Sequence, residues 1–404
     1  MIQPFFGELF RYPVALELSH NYCSNKCAYC FANLNTPDRK ANVQGVMNQL
    51  ANHEQRSDIT SLLLQKKIGI CLSNKTDPFA ASNYQIAKPQ IEILNELDIP
   101  IAYHTRGGKH LIIDSIKPTL FYISICHTDD AVRKKIEPGA TTIEYRWELA
   151  KELISKGHQV VIACNPFVTE WVDEDIYIKN LNDSGVKYII AQPIHLNNDQ
   201  LLNMDSREIF DMQKIVKESM KKENKYQKEC RSFIDKLLLL GFTVYDTLNF
   251  NSTNIMNAWH HGLKGKTFKT YYDFFHWCLK NKQNNEAVFF DEFYDFIKPN
   301  FLEEHQEYSL YQYITSIDRR YRKTRQSGLS VKQKMTFKEL AQTIWNDNRF
   351  PNHLSRVNQF GIVGEIKNKT LFTEVDENNN LIMCFNSNNF ANTLVSANEV
   401  LTFQ

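Results

Sequence analysis

The sequence is short of most features that would place a protein early. No stretch approaches the roughly 18 uninterrupted apolar residues that a spanning helix requires, so no transmembrane segment is expected. The first residues, MIQPFFGELFRYPVALELS, lack a basic start, a continuous apolar core and a small-residue cleavage site. No secretory signal is therefore read there, and a cytoplasmic location with reduced thiols is expected. There is no excess of either charge: 47 Lys and Arg against 46 Asp and Glu leave a net charge of +1, so no global field draws the chain to nucleic acid or membrane. There is no internal repeat in the C-terminal half and no low-complexity tract. The nine cysteines are odd in number and scattered over 404 residues, which argues against a disulfide framework.

What is present is an ordinary globular composition, 43% hydrophobic and 23% charged, on a chain long enough for roughly two to three domains. From residue 13 to about 196, β-branched runs alternate with helical stretches, the pattern of βα units and a parallel sheet or barrel. The runs are 14–18, 68–73, 99–105, 120–126, 159–165 and 188–194. Between the fourth and fifth, Ile143, Trp147, Ala150, Leu153 and Ile154 share one helical face that stops at Gly157. The expected fold class is α/β: a partial (β/α)6 barrel of the TIM type over 1–200, with a mostly helical extension over 201–317 and a small α+β module over 335–404.

In the extension, 206–242 reads as helical and leads into a strand at FTVYDTL, and 265–316 is aromatic and helical. Residues 318–334 carry seven Lys and Arg in seventeen and a Ser-Gly break, marking a basic linker or loop. The terminal module reads as two helices and a hairpin turning at Asn378-Asn379-Asn380.

Chemistry concentrates at LSHNYCSNKCAYCFANL, residues 18–34. Loops after the C-terminal ends of barrel strands form the active face, and this loop follows the first strand. Cys23, Cys27 and Cys30 can present three thiolates to three corners of an iron–sulfur cubane. Such clusters normally take four cysteines, so a missing fourth leaves an open coordination site. The competing reading is a closed Cys3His zinc site with His20 as fourth ligand, in a non-catalytic zinc or nucleic-acid-binding protein.

CSNKCAYC, with Tyr29 just before the last cysteine, resembles the radical S-adenosylmethionine enzymes, whose loop reads CxxxCxFC. The resemblance implies a 4Fe-4S cluster held by Cys23, Cys27 and Cys30, with S-adenosyl-L-methionine chelating the fourth iron and cleaved to a 5′-deoxyadenosyl radical that abstracts hydrogen from a substrate. Over roughly the first two hundred residues the chain is similar to the spore photoproduct lyase-like branch, often labelled DNA repair photolyases. SNKTDPF, HTRGG, ISICHTDD and KKIEPGATTIEYRWELAKELISKG carry that similarity. It implies that Tyr29 packs near the adenine and that Arg106, where the family usually has Lys, holds the carboxylate of S-adenosylmethionine. Asp77, Ser124 and Arg146 become further cofactor-binding candidates. Cys71 falls near the position of the lyase's hydrogen donor, although LSNKTDP after it departs from the lyase. Cys126 and Cys164 also end strands on the expected active face.

Each position has a plainer reading: a turn at Asp77, a strand end at Ser124, a surface pair of Arg146 with Glu137 or Glu144, core packing for the cysteines. For substrate, the branch implies a nucleobase in DNA or RNA, with the basic segment around Tyr321 as a phosphate grip. A peptide or small metabolite is the alternative; Cys230, Cys278 and Cys384 are too sparse for additional clusters. A low-potential electron donor of flavodoxin or ferredoxin type is the expected partner.

Overall fold

Short β-branched runs buried on both faces suit a parallel sheet covered by helices, and that is how the N-terminal two-thirds of the chain folds. The computed structural model describes residues 3–4, 13–14, 16–18, 20, 22–30, 43–72, 76–108, 113–194, 212–221, 224–245, 253–300, 308–309, 334–346, 360–362, 366–367, 370–371 and 374–385. Their contacts divide the chain into two compact units, Met1–Gln3 with Leu16–Asp246 and Phe250–Thr267, and Pro4–Ala15 with Thr247–Asn249 and Phe268–Gln404.

The first unit is organised on an eight-stranded sheet in sequence order: β1 (Gln3–Pro4), β2 (Leu16–Leu18), β3 (Ile70–Leu72), β4 (Ile101–Thr105), β5 (Leu120–Ser124), β6 (Gln159–Phe167), β7 (Tyr188–Pro193) and β8 (Thr243–Val244). From β2 to β8 every neighbouring pair is parallel. Parallel strands need crossovers. They are supplied by α1 (Val43–Ala51) and α2 (Ile59–Gln65) before β3, α3 (Tyr84–Glu96) before β4, and a 3-10 turn Ile113–Ser115 before β5. Then come α4 (Asp130–Ile136) and α5 (Ile143–Ser155) before β6, α6 (Glu174–Ser184) before β7, and α7 (Met212–Ser219) and α8 (Lys225–Leu239) before β8. Sequential parallel strands whose outer members do not pair make an open βα barrel. All six expected strands are present within it, flanked by β1 and β8.

Local signals set the helix ends. Asp58, Asp129, Thr142 and Asp173 each accept a backbone N–H of the first turn of the helix they precede. α5 ends at Ser155, and Gly157 takes φ +81°, as its expected terminating role requires. The stretch read as helical over 206–242 holds two helices among the described residues: Asn224 accepts from the Gln227 N–H and starts α8 afresh.

Alternation gives the sheet two distinct faces. On the helix side, Tyr103 and Phe121 stack with centroids 4.6 Å apart and meet Phe79 and His158. The inner face carries Glu17, Cys71 and Ala102 in one cross-strand row, and His104, Tyr122, Val161 and Tyr188 in the next. Ser124, Ala163 and Ile190 form the row nearest the C-terminal ends. A short helix α9 (Asn257–Gly262) covers the lower inner face. Its Trp259 lies 5.4 Å from both His104 and Tyr122, and just beyond it the Lys266 carbonyl accepts from Gly69 N at the foot of β3.

In the second unit, Ala287–Val288, Met383–Phe385 and Phe360–Ile362 form an antiparallel sheet, and helices Tyr271–Asn281, Phe290–Ile297 and Phe337–Asn346 contribute the buried Phe274, Phe293 and Trp345. The expected turn at 378–380 is present. The Asp376 carboxylate accepts from the backbone N–H groups of Asn378 and Asn380, and Val375 bridges Leu381. The basic segment, save Lys334, and the second expected terminal helix lie outside the described residues. No helix among the described residues is long and apolar enough to cross a membrane.

Candidate active site

The cysteine loop follows β2, at the C-terminal edge of the parallel sheet. Cys23 and Cys27 are buried and Cys30 is half-buried. The loop is held largely by hydrogen bonds: Ala28 N donates to Ile136 O (2.8 Å) and Gly139 N to Asn25 O (3.1 Å). Ser24 and Ser82 each donate a backbone N–H to the other's hydroxyl (3.1 and 3.2 Å), and Asn83 Nδ2 donates to Tyr22 O (2.9 Å). A Cβ on Gly139 would stand 2.1 Å from Ser24 O, so the Glu-Pro-Gly turn meets the loop only because that residue is glycine.

Asp77 is the second tie. Its carboxylate accepts from Asn25 Nδ2 (3.0 Å), Phe79 N (3.0 Å), Thr105 Oγ1 (2.9 Å) and Arg106 N (2.7 Å). A carboxylate has about four acceptor sites. All are taken within the protein, joining the cysteine loop to the ends of β3 and β4. Burial pushes the Asp77 carboxyl up, against the hydrogen bonds from Arg106 and Phe79 N–H and the Thr105 hydroxyl.

The third tie is Glu137, fully buried, in the turn after α4. Its Oε2 accepts from Arg146 Nη2 at 2.6 Å, and its Oε1 accepts from Arg106 Nε at 3.1 Å and from the Tyr29 hydroxyl. Arg106 Nη2 also donates to that hydroxyl (3.1 Å), with the guanidinium 5.5 Å from the Tyr29 ring centroid. Arg146, itself fully buried, donates from Nη1 to Ser124 O (2.8 Å) and from Nη2 to Thr141 O (3.0 Å). Burial alone would raise the Glu137 carboxyl, but Arg146 and Arg106 overcome it and hold the group well below the usual carboxylate range.

One carboxylate thus gathers four residues named from the sequence: Tyr29, Arg106, Arg146 and, through its carbonyl, Ser124. The surface pair considered for Arg146 is a buried ion pair. Tyr29 is enclosed, its ring 5.9 Å from Trp171 and its hydroxyl 3.8 Å from Cys126 Sγ. His127 stacks on Trp171 at 4.9 Å, and neither of its ring nitrogens has a partner among the described residues. Burial lowers its pKa to about 4, against the pull of Glu137.

Cys71 stands apart, buried on the inner face of β3 in register with Glu17; burial first, and Glu17 second, push its thiol well up. Cys164, expected to end a strand on the active face, lies inside β6. It faces the helix side, buried near Tyr177 of α6. Glu137 was legible as part of a turn but not as the centre of the site, since nothing in KKIEPG tells a buried carboxylate from a solvated one. Trp171 gave no signal, and His127 stood within ISICHTDD with no role assigned to it.

Among the described residues no three His, Cys, Asp or Glu side chains converge on a single ion. His20, the fourth ligand of the zinc reading, has its Nε2 3.3 Å from Gln90 Oε1 on α3, and its buried Nδ1 has no partner among the described residues. A closed mononuclear site needs four ligands about 2.3 Å or less from the metal. Three thiols on one loop fit a polynuclear cluster, in which each iron takes one. Burial pushes the Cys27 thiol well up while Arg106 draws it down, and coordination would deprotonate it outright.

No protein-family model and no curated protein matches the chain. Among solved structures it is similar to Streptococcus suis SuiB bound to precursor peptide SuiA, at 12% identity and a TM-score of 0.37, covering 58% of this chain and 48% of that one. SuiB bound to S-adenosylmethionine gives 13% identity and a TM-score of 0.36 over 58% and 48%. The chain thus spans about half the length of these structures. A likeness of that extent leaves the function to be argued from the residues.

Proposed function

We propose that this chain is a radical S-adenosylmethionine enzyme. The observation that carries the reading is a three-cysteine loop on the C-terminal edge of an open parallel barrel, locked against a buried carboxylate and two arginines. In this reading Cys23, Cys27 and Cys30 would hold a 4Fe-4S cluster, with S-adenosylmethionine bound beside it. Bound there, the two groups supply hydrogen-abstraction chemistry.

The chain's own residues do the placing. Asp77, through Asn25, and Glu137, through Tyr29, tie the loop from two sides. Arg106 keeps Nη1 without a partner among the described residues and is 23% exposed at its side chain, which leaves one edge of the guanidinium for a carboxylate. Ser124, half-buried beside it, offers a hydroxyl. Tyr29 orients Arg106 and closes the wall toward Trp171. Electrons come from a low-potential donor of flavodoxin or ferredoxin type. The resemblance to the spore photoproduct lyase-like branch favours a nucleobase-containing substrate over a peptide.

The test is anaerobic reconstitution with iron and sulfide, then dithionite and S-adenosylmethionine, with an assay for 5′-deoxyadenosine in wild type and Cys27→Ala. Deoxyadenosine from the wild type alone supports the reading. A protein that holds one zinc, takes up no iron and yields none refutes it.

A further inference from the structure

The cysteine loop has an outer side on which none of the ties to Asp77 and Glu137 falls. Lys26 is exposed there with φ +48°, in the left-handed region, while Asn25 and Cys27 on either side of it are buried. Two residues on, Ala28 N donates to Ile136 O (2.8 Å), and α4 reaches that bond through Lys134 and Lys135, both exposed. Arg133, in the same helical turn, is buried instead. It pairs with Asp130 and donates from Nη1 to Glu137 O (3.1 Å) and Ala140 O (2.8 Å). Tyr22, 43% exposed, stands at the start of the loop, where its carbonyl accepts from Asn83 Nδ2.

Hydrogen bonds bring three described segments together at this surface: 22–28, 81–85 and 134–139. They carry three lysines, all exposed, and a single carboxylate, Glu137, which is fully buried. Asp77, which ties the loop from beneath, is buried as well. Asp129 and Asp130 stand at the opposite end of α4, the second of them paired with Arg133. On a chain whose net charge is +1, this seam is a local concentration of positive charge.

Lys26 adjoins Cys27 in the chain, so a partner seated on these lysines stands close to a thiol assigned to the group that must be reduced. Opposite charge steers such an encounter and fixes its orientation. A nucleic acid is also an anion, but the residue best shaped to fork a phosphate, Arg133, is committed inward. We propose that Lys26, Lys134 and Lys135, with Tyr22 at the edge, form the docking face for an acidic electron-carrier protein of low potential. This deepens the radical reading and rests on it for the identity of the group reduced. One electron passes per encounter: the carrier is oxidised by one, the iron–sulfur cluster is reduced by one, and no bond forms or breaks.

The experiment titrates a flavodoxin, and separately a single-stranded oligonucleotide, onto the full chain by calorimetry at low and physiological salt. Three proteins are compared: wild type, the triple variant Lys26→Glu, Lys134→Glu, Lys135→Glu, and a control with Lys66→Glu, Lys67→Glu, Lys187→Glu, whose lysines precede β3 and β7 at the other end of the strands. Flavodoxin should bind wild type and control alike, and more weakly as salt rises. The triple variant should bind it at least about tenfold more weakly, the sum of three lost charge pairs, with the unfolding temperature unchanged. Deoxyadenosine driven by reduced flavodoxin should fall with binding, while dithionite, which needs no docking face, should still bring the triple variant to the wild-type yield. No flavodoxin binding to wild type, or an equal loss in the control, overturns the proposal. Oligonucleotide binding that vanishes in the triple variant while flavodoxin binding persists overturns it in favour of a nucleic-acid face. An equal loss of deoxyadenosine with both reductants also overturns it, because the lysines then act on the loop itself. Deoxyadenosine from dithionite with flavodoxin binding unchanged in the triple variant sinks this inference alone. No deoxyadenosine from wild type with either reductant sinks the radical reading, and with it the role of the carrier.

Discussion

At the scale of single residues, the cysteine loop depends on atoms that are missing as much as on those present. Gly139 has no Cβ, and the Ser24 carbonyl and the Asn25 Cα occupy the space where one would lie. Gly139→Ala should force the Glu-Pro-Gly turn and the loop apart, costing about 1–3 kcal/mol as overpacking. It should also break the Gly139 N to Asn25 O bond and loosen the cover over Cys27. The measurable result is faster reaction of the loop thiols with an aromatic disulfide reagent, alongside a lower urea midpoint. Unchanged thiol rates in a destabilised variant would mean that the turn supports the fold but does not hold the loop. Here the sequence was legible in part. Three cysteines and an aromatic at fixed spacing announce a ligand set, because the chemistry demands those residue types. The carboxylate that organises them does not announce itself, because burial is a property of the folded neighbourhood.

At the scale of elements, the six central strands were readable because a parallel sheet covered by helices buries both faces of each strand, leaving unbroken apolar runs. α9 was not. Six residues, NAWHHG, carry too little periodicity to stand out, and their role depends on Trp259 meeting His104 and Tyr122, residues more than a hundred positions away. Trp259→Ala would open a cavity against the lower inner face and should destabilise the first unit by about 3–5 kcal/mol, as large-to-small changes in a packed core do. Urea unfolding followed by far-ultraviolet circular dichroism would report it. A loss below about 1 kcal/mol, within the range of surface changes, would show that α9 merely rests on the barrel. The break between α7 and α8 has a different cause. Asn224 offers its side chain to the backbone and so starts a new helix inside a stretch whose polar and apolar spacing reads as continuous.

At the scale of the whole molecule, near-zero net charge hides a strong pH dependence. His104, His127, His158 and His276 are each lowered to about 4, in every case first by burial. His127 faces Glu137, which acts to raise it, and Arg146, Arg106 and Arg133, which act to lower it. For these groups the folded pKa lies below the unfolded value of about 6.5. Between pH 6.5 and about 4 the unfolded chain therefore binds more protons, so stability rises with pH and is lost as pH falls through that window. Glu137 acts in the same sense but lower on the scale. Its depressed pKa gives stability that is fully present above the unfolded glutamate value of about 4.3 and lost only as pH drops further. Unfolding at pH 5 should thus take up about three to four protons from the histidines, measurable by calorimetry in buffers of different ionisation enthalpy. His127→Gln should remove about one of them. If proton uptake in that variant equals wild type, His127 is already charged in the folded protein. The ring against Trp171, which has no partner among the described residues, would then have to be an imidazolium held by Glu137, and the wall of the site would carry one more positive charge than its geometry implies.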